Sequence, residues 1–278
     1  GGATASVLTL GYSVSNIVNN GSYAGSFAGG GQPLSLVKIG TNTQTLAGIN
    51  TYSGSTTVSN GTLVVNGSIA GAVAVKAGAT LGGTGTIGGG LTVEADGIVA
   101  PGAGIGTLTL NSTPVLNGIV LAEVDRNGGA PLADQLAVTG SPIVYNGTLV
   151  VANTGAPLQP GDTFQLFSAS SYSGSFALVS QTPGQIITWT GLAGNGNITV
   201  ASAAQATVTA VRNGSNLDLS WPLEALGAKL LVQTNAPGVG LSTNWVAWAG
   251  STATNQVSVP IDPANGSVFL RLVYPPLP

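Results

Sequence analysis

The 278-residue sequence holds no cysteine, histidine or methionine, and only 5% of it is charged. Soluble proteins average about 25% charged residues. Each absence closes off chemistry. Without cysteine there is no thiolate nucleophile and no disulfide. Without histidine there is no imidazole base and no zinc or haem site of the usual kind. Six Lys+Arg stand against nine Asp+Glu, which leaves no electrostatic case for a nucleic-acid partner or an anionic membrane. Long apolar runs are missing too. A spanning helix needs about 20 consecutive apolar residues, whereas Gly, Asn, Ser or Thr interrupts every run here, as in TLVVNGSIAGAVAV. No membrane span is expected. Aromatics at 5% are thin for the two girdles of an outer-membrane barrel. The chain opens on Gly1-Gly2 rather than Met, so a removed leader or an excerpt of a longer protein is expected.

What the chain has in quantity is glycine, at 43 positions. Stretches of three to six residues rich in Val, Leu, Ile and Thr alternate with Gly, Asn-Gly or Gly-Gly, the pattern of strands and turns. The fold class expected is all-β. Within it a period emerges. NGTLVV at Asn60, GATLGG at Gly78 and DGIVAP at Asp96 start 18 residues apart, which makes Leu63, Leu81 and Val99 equivalent. AVAV ending at Val75 and GLTV ending at Val93 keep the same 18-residue spacing. Two sets of strands sharing one period are the mark of a solenoid, in which each coil contributes the same strands and apolar side chains stack coil on coil. Stacked coils also account for the missing charge, because like charges in register at about 4.8 Å repel.

The stretch from Leu34 to Leu110 resembles the autotransporter-associated β-strand repeat, a passenger-type β-solenoid family. The residues that carry the resemblance are Lys38, Leu46–Gly48, Asn50–Gly54, Thr56–Val58, Gly61–Leu63, Leu81–Gly85 and Ala100–Gly102. Ala47-Gly48-Ile49 stands where the family more often has Ser-Gly-Ala. The resemblance implies an extracellular or cell-surface β-solenoid, and names no particular activity. Residues 1–33 are expected to be a strand extension or partial repeat, with a Gly-rich hinge at 28–31. Residues 34–200 are expected to be the solenoid grading into wider antiparallel structure, and ASAAQA at 201–206 a linker.

From Thr207 to Pro278 several short strands are separated by turn signals at regular spacing, which argues a small β-sandwich of immunoglobulin or fibronectin type. Leu219-Ser220-Trp221-Pro222, Leu231–Asn235, Asn244-Trp245-Val246, Pro263–Gly266 and Phe269–Leu272 resemble a C-terminal module of large secreted repeat proteins of Verrucomicrobia and related bacteria.

Candidate chemistry is sparse, and neither a catalytic residue nor a cofactor is expected. Glu94 with Asp96, and Glu123 with Asp125, each share a strand face, and with Asp134 they offer hard oxygen ligands for calcium. The Gly-Gly-x-Gly-x-Asp repeat of calcium-binding β-rolls is absent, so solvated corners or local caps are the default and no metal is expected. The same pairs are too few to argue a glycosidase. A serine nucleophile needs a base, and the lysines at 38, 76 and 229 are not expected to supply one. Trp245 and Trp248, with Trp189 and Tyr172, would suit stacking on a glycan, against the default that aromatics of β-modules fill cores. Six of eight Asn-x-Ser/Thr sequons have Gly in the middle, which the Asn-Gly turn preference explains.

These readings converge on a non-enzymatic structural subunit of an extracellular filament, assembling head to tail with itself by strand addition. The N-terminal strand is the expected donor, with Val7, Leu8, Leu10 and Tyr12 as knobs and the sandwich closing the other end. The alternative is an adhesin stalk that presents a carbohydrate-binding module.

Overall fold

The computed structural model describes residues 6–11, 20–28, 33–126, 131–182, 185–205, 207–223, 228–262 and 264–273. Most of these residues wind into a three-walled coil of parallel strands. The first wall stacks β1 (Ser6–Leu10), β3 (Leu34–Lys38), β6 (Thr56–Val58), β9 (Val73–Val75), β12 (Leu91–Val93) and β15 (Val115–Leu116). The second stacks β2 (Gly21–Tyr23), β4 (Thr43–Leu46), β7 (Gly61–Val65), β10 (Ala79–Gly83) and β13 (Ile98–Pro101). It continues through β16 (Ile119–Asp125), β20 (Thr148–Asn153) and β24 (Ala177–Gln181), with β17 (Leu132–Ala133) folded back on β16. The third stacks β5 (Ile49–Asn50), β8 (Ser68–Ile69), β11 (Thr86–Ile87), β14 (Thr107–Leu110), β18 (Gln135–Val138) and β22 (Phe167–Ser168). A short pair, β19 (Ile143–Tyr145) with β23 (Tyr172–Gly174), follows the first wall in chain order. The chain visits first, second and third wall in turn, which is a β-solenoid.

The 18-residue period places its residues as expected. Leu63, Leu81 and Val99 are consecutive partners in the second wall, and Val75 pairs with Val93 in the first. All five are fully buried, because alternate residues of a strand face the same side. The column extends from Gly21 and Gln44 through Leu63, Leu81, Val99, Val120 and Leu149 to Leu178. Parallel coils therefore run on to Gln181, past the point near residue 111 where they were expected to give way to antiparallel structure. The period had hidden this: Ile119 pairs with Thr148 and Thr148 with Ala177, so the coils lengthen to 29 residues there.

Longer coils enclose a wider cross-section, and larger side chains fill it. No aromatic residue occurs between Tyr52 and Tyr145, where Val, Leu and Ile suffice. Beyond that, Tyr145, Phe167 and Phe176 pack with ring centroids 5.0–5.5 Å apart, within the favourable range for aromatic pairs.

The stretch expected to be a linker is a strand. Ala201–Gln205 completes β26 (Asn197–Gln205), which pairs antiparallel with β21 (Thr163–Gln165) and β25 (Gln185–Gly191). Its small side chains accompany a long hairpin partner, and main-chain pairing does not need bulk. Phe164, Ile187, Ile198 and Val200 of this sheet belong to the apolar core of the coil, whose members end at Ala203. The sheet thus adds to the core of the coil, whereas residues 209–273 have a core of their own.

Residues 209–273 form two three-stranded antiparallel sheets. One is β27 (Thr209–Asn213), β28 (Asn216–Ser220) and β31 (Gln256–Pro260); the other is β30 (Val246–Ala247), β29 (Lys229–Asn235) and β32 (Ser267–Val273). Leu219, Val259, Leu230 and Trp221 are the buried members of a separate core shared by both sheets. Strands β27 and β28 form a hairpin turning at Gly214, whose φ is 60°.

Candidate functional site

The coil corners hold the buried polar side chains that the sequence pattern marks most clearly. Lys38 ends β3 fully buried, with no carboxylate beside it. Its Nζ donates to the carbonyl oxygens of Ile39 (2.7 Å), Gly40 (2.9 Å) and Asn60 (3.1 Å) and to Asn42 Oδ1 (3.1 Å). Burial pulls the ammonium below its usual pKa, and the four oxygens replace the water it has lost. Since Asn60 lies one coil further on, the lysine ties consecutive coils at one corner. The lysines were expected to lack a Ser-x-x-Lys spacing, but Ser35 stands three residues before Lys38. Residues three apart in a strand project to opposite faces, and Ser35 is not among the four partners of Nζ.

Asn50 does the same at a second corner. Its Oδ1 accepts from the Phe27 N–H of the preceding coil (3.0 Å), while Nδ2 donates to Gly48 (2.9 Å) and to Ser68 of the following coil (3.0 Å). Tyr52 is fully buried, and its hydroxyl meets Thr56 Oγ1 at 2.5 Å. Buried polar groups of this kind are stabilising only while paired. Every one of them spans a turn or adjoining coils, so their chemistry is cohesion.

The carboxylates scatter. Glu94 pairs with Lys76 at 2.5 Å, both about 44% exposed, an ion pair of small energetic weight. Asp96 occupies an exposed turn at φ 61°. Asp134 is buried, with Oδ1 accepting from Gly106 N–H and Oδ2 from Glu123 N–H, each at 2.9 Å. Asp125 leaves Oδ1 buried without a partner. Among the described residues no three potential metal-ligating side chains of the His, Cys, Asp and Glu classes come together.

Asp134 gives the coil a pH response. Burial pushes its carboxyl up to about 7, with the two N–H donors pulling the other way. The folded chain therefore holds this proton more tightly than the unfolded chain, whose carboxyl titrates near 4. The stabilisation is complete below about pH 4 and is lost as pH rises through about 7. Melting temperature should fall between pH 5 and pH 8, the stability change having an upper limit of about 4 kcal/mol over the whole window. Thermal melts of Asp134→Asn should show a clearly flatter profile; an unchanged slope would assign the response elsewhere.

The aromatic candidates divide between two cores. Trp189 packs edge-on to Phe164 at 6.2 Å and donates Nε1–H to Ser180 Oγ at 2.9 Å. Tyr172 lies 6.0 Å from Tyr145 at the same end of the coil. Trp248 packs against the C-terminal core, while Arg271 places its guanidinium carbon 4.3 Å from the centre of the Trp245 ring. Trp245 and Trp248 are both half-buried. A polar cluster went unnoticed in the sequence: Gln233, fully buried, bonds Ser242 and Asn244 and so pins the 236–245 loop to β29. Its spacing of nine and eleven residues has no periodic signature.

At the N-terminal end, β1 is not a free arm. It lies in register on β3 of its own chain, Leu8 against Leu36 and Leu10 against Lys38. Leu8 and Leu10 thus head buried columns, while Val7 is 63% exposed on the outer side. The knob set separates by strand alternation. Tyr12 lies outside the described residues, as does most of the 28–31 hinge. Two further residues close this end: Tyr23 and Phe27 stack with centroids 4.3 Å apart, and Phe27 packs on the core. Outer edges of β1 and β2 have no strand partner among the described residues. At the far end β24 is likewise paired on one side only, and Leu178 is 44% exposed. Beside it lies a cleft of about 200 Å³ walled by Tyr145, Phe176, Leu178, Trp189 and Leu192.

Comparison with known families gives one match: residues 36–65 fit the passenger-associated-transport-repeat. That span covers one coil, β3 to β5, and the first two strands of the next, β6 and β7, and it includes Lys38, Asn50, Tyr52 and Thr56. No curated protein matches the chain. No helix among the described residues is long and apolar enough to cross a membrane.

Proposed function

We propose that this chain is a non-catalytic structural subunit of an extracellular filament or surface appendage, assembling head to tail with itself by β-strand addition at its N-terminal segment. The observation that carries the reading is a pair of parallel edges at opposite ends of one continuous stack, β2 at one end and β24 at the other, neither with a strand partner on its outer side among the described residues. Main-chain N–H and C=O groups along such edges are a template for another strand, and a contact between unlike ends that does not close on itself gives an open helical polymer. A chain with 5% charged residues and a net charge of −3 packs against copies of itself with little long-range repulsion. The family match, to a repeat described as passenger-associated, fits a secreted or surface setting. In this reading the two C-terminal sheets form a sandwich of immunoglobulin or fibronectin type carried along the fibre.

Electron microscopy of the purified chain near neutral pH, with and without a chelator, tests it. Regular filaments in both conditions are expected. Dispersed particles at high concentration would overturn the filament and favour the adhesin stalk, with a glycan array as the next measurement. Filaments that dissolve in chelator would make the scattered carboxylates calcium ligands.

A further inference from the structure

Resting on that head-to-tail reading, we infer that the joint is made by the second wall: β2 of one copy adds in parallel to β24 of the next, and Tyr23 seats beside Trp189 at the cleft. Three observations lead there. The first wall is the poorer choice, because its hydrogen-bonded path from β1 breaks off at the two-residue strand β15 and only the separate pair β19–β23 follows it among the described residues. Among the described residues, the second wall is the one ladder that runs unbroken from the first coil to the last, with an open strand edge at each end.

The second observation is register. The inner column closes on Leu178, and its opening position is Gly21. Continuing the same parallel ladder sets Gly21 of the incoming copy on Leu178, Ser22 on Val179 and Tyr23 on Ser180. The two edges match by construction, since each coil already offers the next the same row of donors and acceptors. Glycine opposite Leu178 leaves room for that side chain, which is 44% exposed in the single chain. Ser180 Oγ already accepts the Trp189 indole N–H, so the Tyr23 ring arrives next to an aromatic wall.

Third, the two ends match in polarity. The β24 strand reads Ala-Leu-Val-Ser-Gln, and its first three residues are exposed on both faces, which is unusual for so apolar a strand. No charged side chain occurs among residues 6–11 and 20–28 at one end or among those walling the cleft at the other, so contact desolvates no charge. Leu192 enters the cleft wall at φ 73°, a conformation that costs a branched residue on the order of 1–3 kcal/mol. Tyr145 holds it there by donating its hydroxyl proton to the Leu192 carbonyl at 3.1 Å. The cleft is thus kept in shape against local strain.

The chain's lack of cysteine makes a direct test clean. Ser22→Cys and Val179→Cys place thiols on the outer face of the two edges, where both side chains are exposed. A short bismaleimide added to a mixture of the two single variants should give a dimer on a denaturing gel, and neither variant alone should. The double variant should give a ladder. Filaments that form normally yet yield no cross-link would overturn this joint and leave head-to-tail assembly standing. Dimers from Ser22→Cys alone would mean a symmetric contact and overturn it as well. Wild-type chain that stays dispersed at high concentration would sink joint and filament together. Tyr23→Asp should lower assembly by tenfold or more at equal concentration, with a melting temperature near the parent's to show that losing the stack on Phe27 leaves the coil folded.

Discussion

Lys38→Met should destabilise the coil by about 2–4 kcal/mol, the scale for leaving buried acceptors without a donor, against a total of about 5–15 kcal/mol for a typical domain. Methionine matches the length and apolar stem of lysine but donates no hydrogen bond. The carbonyls of Ile39, Gly40 and Asn60 and the Asn42 amide oxygen would each lose a donor in a site fully closed to water. Lys38→Arg should not rescue it, because a planar fork cannot address four oxygens set around a compact ammonium. Urea denaturation measures the loss, and hydrogen exchange locates it. Faster exchange should centre on residues 34–65, where the lysine joins adjacent coils. A variant within 1 kcal/mol of the parent would mean that water or a rearranged Asn42 takes over the site.

Gly83→Ala should cost about 3 kcal/mol or more, whereas Gly78→Ala should cost about 1–2 kcal/mol. Both glycines have positive φ, 108° and 73°, so both carry a conformational penalty for any side chain. They differ in what a Cβ would meet. At Gly83 it would stand 2.2 Å from the Val65 carbonyl oxygen of the preceding coil; at Gly78 no described heavy atom lies within 4 Å. Gly83 also exchanges two main-chain hydrogen bonds with Gly102, both 2.9 Å, so the strand has nowhere to retreat. Thermal melts of the two variants side by side separate clash from conformational strain. Equal losses would show that coil spacing adjusts more easily than a close-packed interior suggests.

Composition and period carried much of the architecture to the surface of the sequence. Strands of three to six residues between glycines, and an 18-residue spacing in two sets at once, leave stacked coils as the simplest way to bury every third stretch. Lys38, Asn50 and Tyr52 were visible as members of a repeat pattern, though not as the corner ties they are. The period ceased to help where coils lengthen, so the 29-residue coils beyond Gly118 and the strand at Ala201–Gln205 were misread. Small side chains look like a linker in one dimension, while main-chain pairing to β25 is invisible there.

What the ends do was decided in three dimensions. From the sequence, β1 read as a donor arm because it is apolar and followed by glycines. In the fold its inward residues continue the columns of Leu36 and Lys38, and burying them on the chain's own coil needs no second molecule. Likewise, β21, β25 and β26 add apolar residues to the coil's core at the far end, with Thr163 of β21 paired to the distant Thr199 of β26. A stack of coils is written in local spacing, because each coil meets neighbours at a fixed interval. Its ends have no such neighbour, and which strand edge stays open depends on how far each wall extends, a property of the assembled coil alone.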